Sequence, residues 1–199
     1  MKKIETIWHQ LLFEALEKHV FKHTQQELAQ KTGFSLSTVN LAIAKPAKIG
    51  AIRKESKFFV VEDIIKFLYF WGSVRNLHDD IIFQTLVETP VLEIEGMVPA
   101  SCIFGGYSAA RRILDDVPAD YDKVYIYDDK QNLKEIESRY PKNKRGTPNF
   151  FVLEATPEIR KYGQLTTLAQ TFVDIWNLSD WFAKDYLQAL EEKINGILS

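Results

Sequence analysis

The chain has 199 residues, 46% of them hydrophobic and 26% charged, a balance that excludes a disordered or low-complexity polypeptide and suits one large domain or two small ones. Its formal net charge of -2 at pH 7 argues against a nucleic-acid binder only if the charge is evenly spread. It is not: residues 1–60 hold nine Lys, one Arg and five Glu, a surplus of five positive charges, and the remainder carries a surplus of seven negative ones.

A single cysteine, Cys102, rules out an internal disulfide and a Cys-based zinc site. His9, His19, His23 and His78 form no metal-spaced set with nearby acids. His19 and His23 stand four apart, but Thr24 reads as the cap of a following helix, so one helix does not present both; neither metal nor cofactor is expected. Glu5, His9 and Gln10 interrupt what would be the apolar core of a signal peptide, and no uncharged run approaches bilayer length. The expectation is a soluble, cytoplasmic protein with no membrane partner.

From Ile4 to Phe21, Ile4, Ile7, Trp8, Leu11, Leu12, Ala15, Leu16 and Val20 recur at three- and four-residue steps, the stripe of an amphipathic helix. Thr24 and Glu27 then form a capping box that opens a short helix to about Lys31. Gly33 suits a turn that needs positive φ, and Ser35 or Ser37 caps a third helix from Thr38 to about Ala44, ended by Pro46. Ala29, Gly33 and Val39 fall at helix-turn-helix spacings, with Leu28, Phe34 and Ala42 in the intervening core positions.

Such a unit presents its second helix to the DNA major groove, and Ser37, Thr38, Asn40 and Leu41 are the candidates for its outward face. Asn pairs in bidentate fashion with adenine, while Ser and Thr reach bases or phosphates. The runs 49–53 and 58–61 read as two strands about the charged tip 54–57, a hairpin in the position of a wing. Arg53, Lys54 and Lys57, with Lys45 and Lys48 in the preceding connection, would place positive charge beside the phosphate backbone.

A helical pattern from Glu62 to Ser73 carries the chain toward a boundary near residue 75, with no Pro/Gly/Ser-rich linker. Strands at 81–87, 103–104, 124–127 and 150–153 then alternate with helices through Leu114, over 133–139, and at about 166–176 and 180–198, an α/β or α+β layering. Gly105-Gly106 between a strand and a helix suits either a phosphate approach or a tight turn. Lys142, Lys144 and Arg145 read as a solvated loop or a contact for DNA or an acidic partner. Phe172, Trp176, Trp181, Phe182 and Tyr186 read as core or as an oligomer interface.

The pair Gly105-Gly106 followed by Asp122-Lys123-Val124 resembles the nucleotidyltransferase fold, whose motif is a Gly-Gly or Gly-Ser pair and then an acidic-apolar-acidic triplet on the next strand. Here Val124 stands where the second acid would be, and Asp120 and Asp122 precede the strand. Gly105, Gly106 and Asp122 are therefore expected to mark at most a vestigial nucleotide site, and no catalytic residue is assigned.

The whole layout is similar to regulators related to the AbiEi-type antitoxins of abortive-infection toxin–antitoxin systems. It carries Tyr69-Phe70-Trp71 in the linking helix, Gly105-Gly106-Tyr107-Ser108-Ala109-Ala110 and Tyr125-Ile126-Tyr127. The resemblance implies an α+β chain: a winged helix-turn-helix over 1–75, then a nucleotidyltransferase-like α/β domain with carboxy-terminal helices over 76–199. It further implies a transcriptional regulator, a repressor above all, bound to double-stranded DNA, with a cognate toxin and a homodimer as further partners. The competing expectations are a nucleotidyltransferase acting on RNA, protein or a small molecule, and a protein-binding adaptor.

Overall fold

A computed structural model describes residues 2–143 and 145–199 and shows an α+β chain with two small sheets. By internal contacts it divides into two compact units, Met1–Arg75 with Ile194–Ser199, and Asn76–Lys193.

In the first unit, helix α1 (Lys3–Lys18) buries Ile7, Leu11, Leu12 and Ala15 completely. Burial of each of the three larger side chains contributes about 1.5–3 kcal/mol. The helix stops short of the expected Phe21 because His19 turns left-handed, with φ 54°. That reversal frees β1 (Lys22–His23) to pair with β3 (Phe59–Val61), Lys22 opposite Val60 and His23 opposite Phe59. Two residues carry no periodicity, so this strand has no signature of its own in the sequence.

Helix α2 (Gln25–Thr32) opens on the expected capping box: the Glu27 N–H donates to Thr24 Oγ1 and the Thr24 N–H to Glu27 Oε2, each at 3.1 Å. Gly33 closes it at φ 71°, a conformation other residues resist. Of the two candidate caps for α3 (Leu36–Lys48), Ser35 serves, accepting from the Thr38 N–H at 3.3 Å.

Pro46 does not end α3, as the sequence suggested, but lies inside it. A helical proline strands the carbonyl four residues before it. That carbonyl belongs to Ala42, and the indole N–H of Trp8 donates to it at 2.7 Å, so the helix continues for two more residues.

The hairpin of β2 (Ile52–Lys54) and β3 completes a three-stranded sheet in the order β1-β3-β2, and α4 (Ile64–Val74) follows, capped by Asp63. The Trp8 ring meets Phe67 and Phe70 of α4 edge-on, which closes the core of this unit around α1.

The second unit is built on a four-stranded sheet in the order β4-β7-β6-β5: β4 (Ile81–Thr85), β5 (Ile103–Gly105), β6 (Val124–Asp128) and β7 (Phe150–Glu154). Strands β6 and β7 are parallel, and both outer pairings are antiparallel. Alternation along β6 and β7 sends Val124, Ile126, Phe150 and Val152 to one face. There they form a core with Ile94 of α5 (Val91–Gly96) and Ile136 of α7 (Leu133–Arg139). Tyr125, Tyr127 and Phe151 turn to the other face, where α6 (Gly106–Ile113) packs on β6 and against α8 (Leu168–Trp176). Helix α9 (Ala183–Leu198) ends the chain. No helix among the described residues is long and apolar enough to cross a membrane.

Candidate nucleic-acid interface

Helix α3 buries Val39, Ala42, Ile43 and Pro46 and exposes Ser37, Asn40, Leu41, Lys45 and Lys48. The exposed positions recur at three- and four-residue intervals, so they form one outward stripe along the helix. Leu41 is 65% and Leu36 53% exposed, large apolar surfaces that the unit itself does not use. At the start of the stripe the Ser37 and Thr38 hydroxyls lie 2.8 and 2.9 Å from Ser35 Oγ. Thr38 is half-buried beneath this cluster, which makes it a support for the helix start more than a reading group.

The hairpin stands beside that stripe. Lys54 Nζ donates to Asn40 Oδ1 at 3.3 Å, tying the end of β2 to the middle of α3. Lys57 is exposed at the tip, and Lys22 of β1 lies 4.1 Å over the Phe58 ring. Arg53 differs from the other cations. Its guanidinium donates to both Glu55 and Glu62, and these hydrogen bonds raise its pKa further. Two carboxylates therefore neutralise Arg53, and Lys45, Lys48, Lys54 and Lys57 remain the positive charge of this surface.

Between the start of α2, the start of α3 and the hairpin runs a groove of about 340 Å³. It is lined by Thr24, Gln25, Gln26, Leu36, the segment 54–57, Phe58 and Phe59. Gln25, Gln26, Leu36 and Ser56 did not emerge from the sequence as site residues. Only the return of the hairpin toward α2 through β1 brings them to the stripe.

A buried polar cluster holds these elements in place. Glu14 of α1 is nearly fully buried and accepts from Lys31 of α2 at 2.7 Å, with His23 Nδ1 of β1 at 3.4 Å. Burial lowers the His23 pKa, opposed by the Glu14 charge. His19 lies outside α1, exposed, so His19 and His23 share no helix face.

In the second unit, Gly106 begins α6 at φ 51°, and both glycines are buried. A Cβ on Gly105 would sit 2.8 Å from Tyr127 Cε2, and one on Gly106 would sit 3.1 Å from Tyr125 Cδ2. The pair thus admits two tyrosine rings from the neighbouring strand. Asp122 and Asp120 are exposed before β6.

Asp128, the last residue of β6, is a buried acid of this unit. It accepts from Arg160 Nη2 at 2.6 Å, Asn132 Nδ2 at 2.9 Å, the Asp129 N–H at 2.8 Å and Cys102 Sγ at 3.3 Å. Burial alone would raise its pKa, but these donors outweigh burial and hold it below the usual carboxylate range. Burial and the adjacent Asp128 push the Cys102 thiol up to about 12.

Lys142 pairs with Glu137 at 3.3 Å, Arg145 is exposed, and Lys144 lies outside the described residues. Phe172, Phe182 and Tyr186 are core, whereas Trp176 and Trp181 are exposed. No group of three or more His, Cys, Asp and Glu side chains suited to a metal ion occurs among the described residues. No protein-family model, curated protein or solved structure matches the chain.

Proposed function

We propose that the first unit is a winged helix-turn-helix that binds double-stranded DNA, and that the chain is a transcriptional regulator. In this reading α3 enters the major groove, the β2–β3 hairpin is the wing, and the sheet through β1 anchors both to α2. The observation that carries it is the bond from Lys54 to Asn40, which joins the positive charge of the hairpin to the polar stripe of α3 in one surface.

Ser37, Asn40 and Leu41 then face base edges, the apolar end of Leu41 suiting a thymine methyl. Lys45, Lys48 and Lys57 meet phosphates and fix register. Arg53 serves the shape of the hairpin through Glu55 and Glu62. The second unit, with a tyrosine-filled Gly105-Gly106 turn, would serve partner binding or self-association, in line with the likeness to AbiEi-type antitoxin regulators. Its own operator, a cognate toxin and a second copy are the partners that likeness suggests.

The test is titration of the full chain against duplex DNA from the region upstream of its own gene. Binding at low salt that weakens steeply as salt rises supports the reading. Absence of binding at low salt contradicts it.

A further inference from the structure

The Lys54–Asn40 bond has a consequence for which base the surface accepts. An ammonium group has three donors and no acceptor, so the atom of Asn40 that faces it is the carbonyl oxygen Oδ1. Asn recognises adenine by accepting from N6–H with Oδ1 while donating to N7 through Nδ2. Oδ1 keeps a second lone pair, but the Lys54 ammonium 3.3 Å away opposes an incoming amino donor there, so Nδ2 is the freer group. Beside it stands an ammonium with donors still to place.

The pair is therefore richer in donors than in acceptors, and the lone pair that Oδ1 keeps lies beside a cation. Guanine alone displays two acceptors, N7 and O6, on its major-groove edge, whereas adenine and cytosine each present an amino donor there. We infer that Asn40 and Lys54 act together as a guanine reader, Nδ2 and Nζ meeting N7 and O6. The inference rests on the reading of α3 and the hairpin as a DNA-contact surface, and it reverses the adenine preference that an isolated asparagine suggests. Both side chains are exposed, so substitutions here leave the core of the unit untouched.

The experiment uses the full chain and duplexes selected from a randomised library, with binding followed by fluorescence anisotropy at fixed salt. The position read by Asn40 is the one whose base preference changes in Asn40→Ala. At that position the wild type is expected to prefer guanine to adenine by about tenfold, and replacing guanine by 7-deazaguanine should remove much of that advantage. Lys54→Met removes the cation beside Oδ1, so its preference should move to adenine.

An adenine preference in the wild type, or a guanine preference unchanged in Lys54→Met, overturns the inference while leaving DNA binding intact. Failure of the wild type to bind any duplex at low salt overturns the DNA-contact reading itself. Matching thermal unfolding of wild type and variants confirms that folding is not what changed.

Discussion

The indole N–H of Trp8 donates to the Ala42 carbonyl at 2.7 Å, occupying the acceptor that Pro46 strands within α3. One contact thus lets a proline sit inside the helix that carries Ser37, Asn40, Leu41, Lys45 and Lys48. Trp8→Phe keeps most of the ring but leaves a buried carbonyl without this donor, at an expected cost of about 1–3 kcal/mol in denaturant unfolding. In a Pro46→Ala background the helix supplies its own N–H to Ala42, so the same substitution should cost less. Equal costs in both backgrounds would show that the indole bond does not compensate for the proline.

A second buried contact joins the two ends of this unit. Glu5 of α1 accepts from Trp71 Nε1 at 3.2 Å and pairs with Arg75 at 3.3 Å, with both charged side chains almost wholly buried. Removing one partner, as in Glu5→Ala, takes the carboxylate from the buried Arg75 guanidinium and the Trp71 N–H and should cost about 3–5 kcal/mol. The double variant Glu5→Leu/Arg75→Met should be less destabilised than either single change. Additive losses measured by urea unfolding would contradict this coupling.

His9 gives the unit a pH dependence of fixed sign. Burial first, and the Arg75 charge second, lower its pKa from 6.5 to about 3. Between those values the unfolded chain binds a proton that the folded chain refuses, so stability is present above pH 6.5 and is lost as pH falls. From pH 7 to pH 5 the loss from this group is about 2 kcal/mol. His9→Gln should flatten that part of the stability profile. A fall of the same size in the variant would assign the acid sensitivity to other groups.

The glycine pair of the second unit yields a test of packing against ligand binding. Gly105→Ala brings a Cβ to 2.8 Å from the Tyr127 ring, and Gly106→Ala adds strain at positive φ. Each is expected to lower stability by about 1–3 kcal/mol. The companion change Tyr127→Phe removes the hydroxyl but keeps the ring, so it should not rescue Gly105→Ala, whereas Tyr127→Ala should reduce the cost of that substitution. Unchanged stability in both glycine variants would mean that something other than tyrosine packing requires these residues.

Much of the architecture could be read from local signals. The capping box at Thr24 and Glu27, the turn at Gly33 and the hairpin tip after Lys54 are set by side chains within a few residues of the backbone they fix. What could not be read depends on distant partners. The two-residue strand β1 exists because β3 pairs with it, and α3 runs past Pro46 because Trp8, remote in sequence, supplies a donor. At the candidate interface the exposed stripe followed from helical spacing, but the neutralised state of Arg53 needed Glu62 from across the hairpin. The engagement of Asn40 by Lys54 is likewise tertiary, and it changes the chemistry that the residue offers.

The distinction between Arg53, held by two carboxylates, and the exposed lysines bears on DNA contact itself. Duplex affinity should be measured across a salt series for wild type, Lys48→Ala, Lys57→Ala and Arg53→Ala. Each lysine that meets a phosphate should, when removed, reduce the slope of log K against log salt by about one, and Arg53→Ala should leave the slope nearly unchanged. Binding indifferent to salt, or a slope that survives loss of both lysines, would contradict the assignment of this surface to DNA.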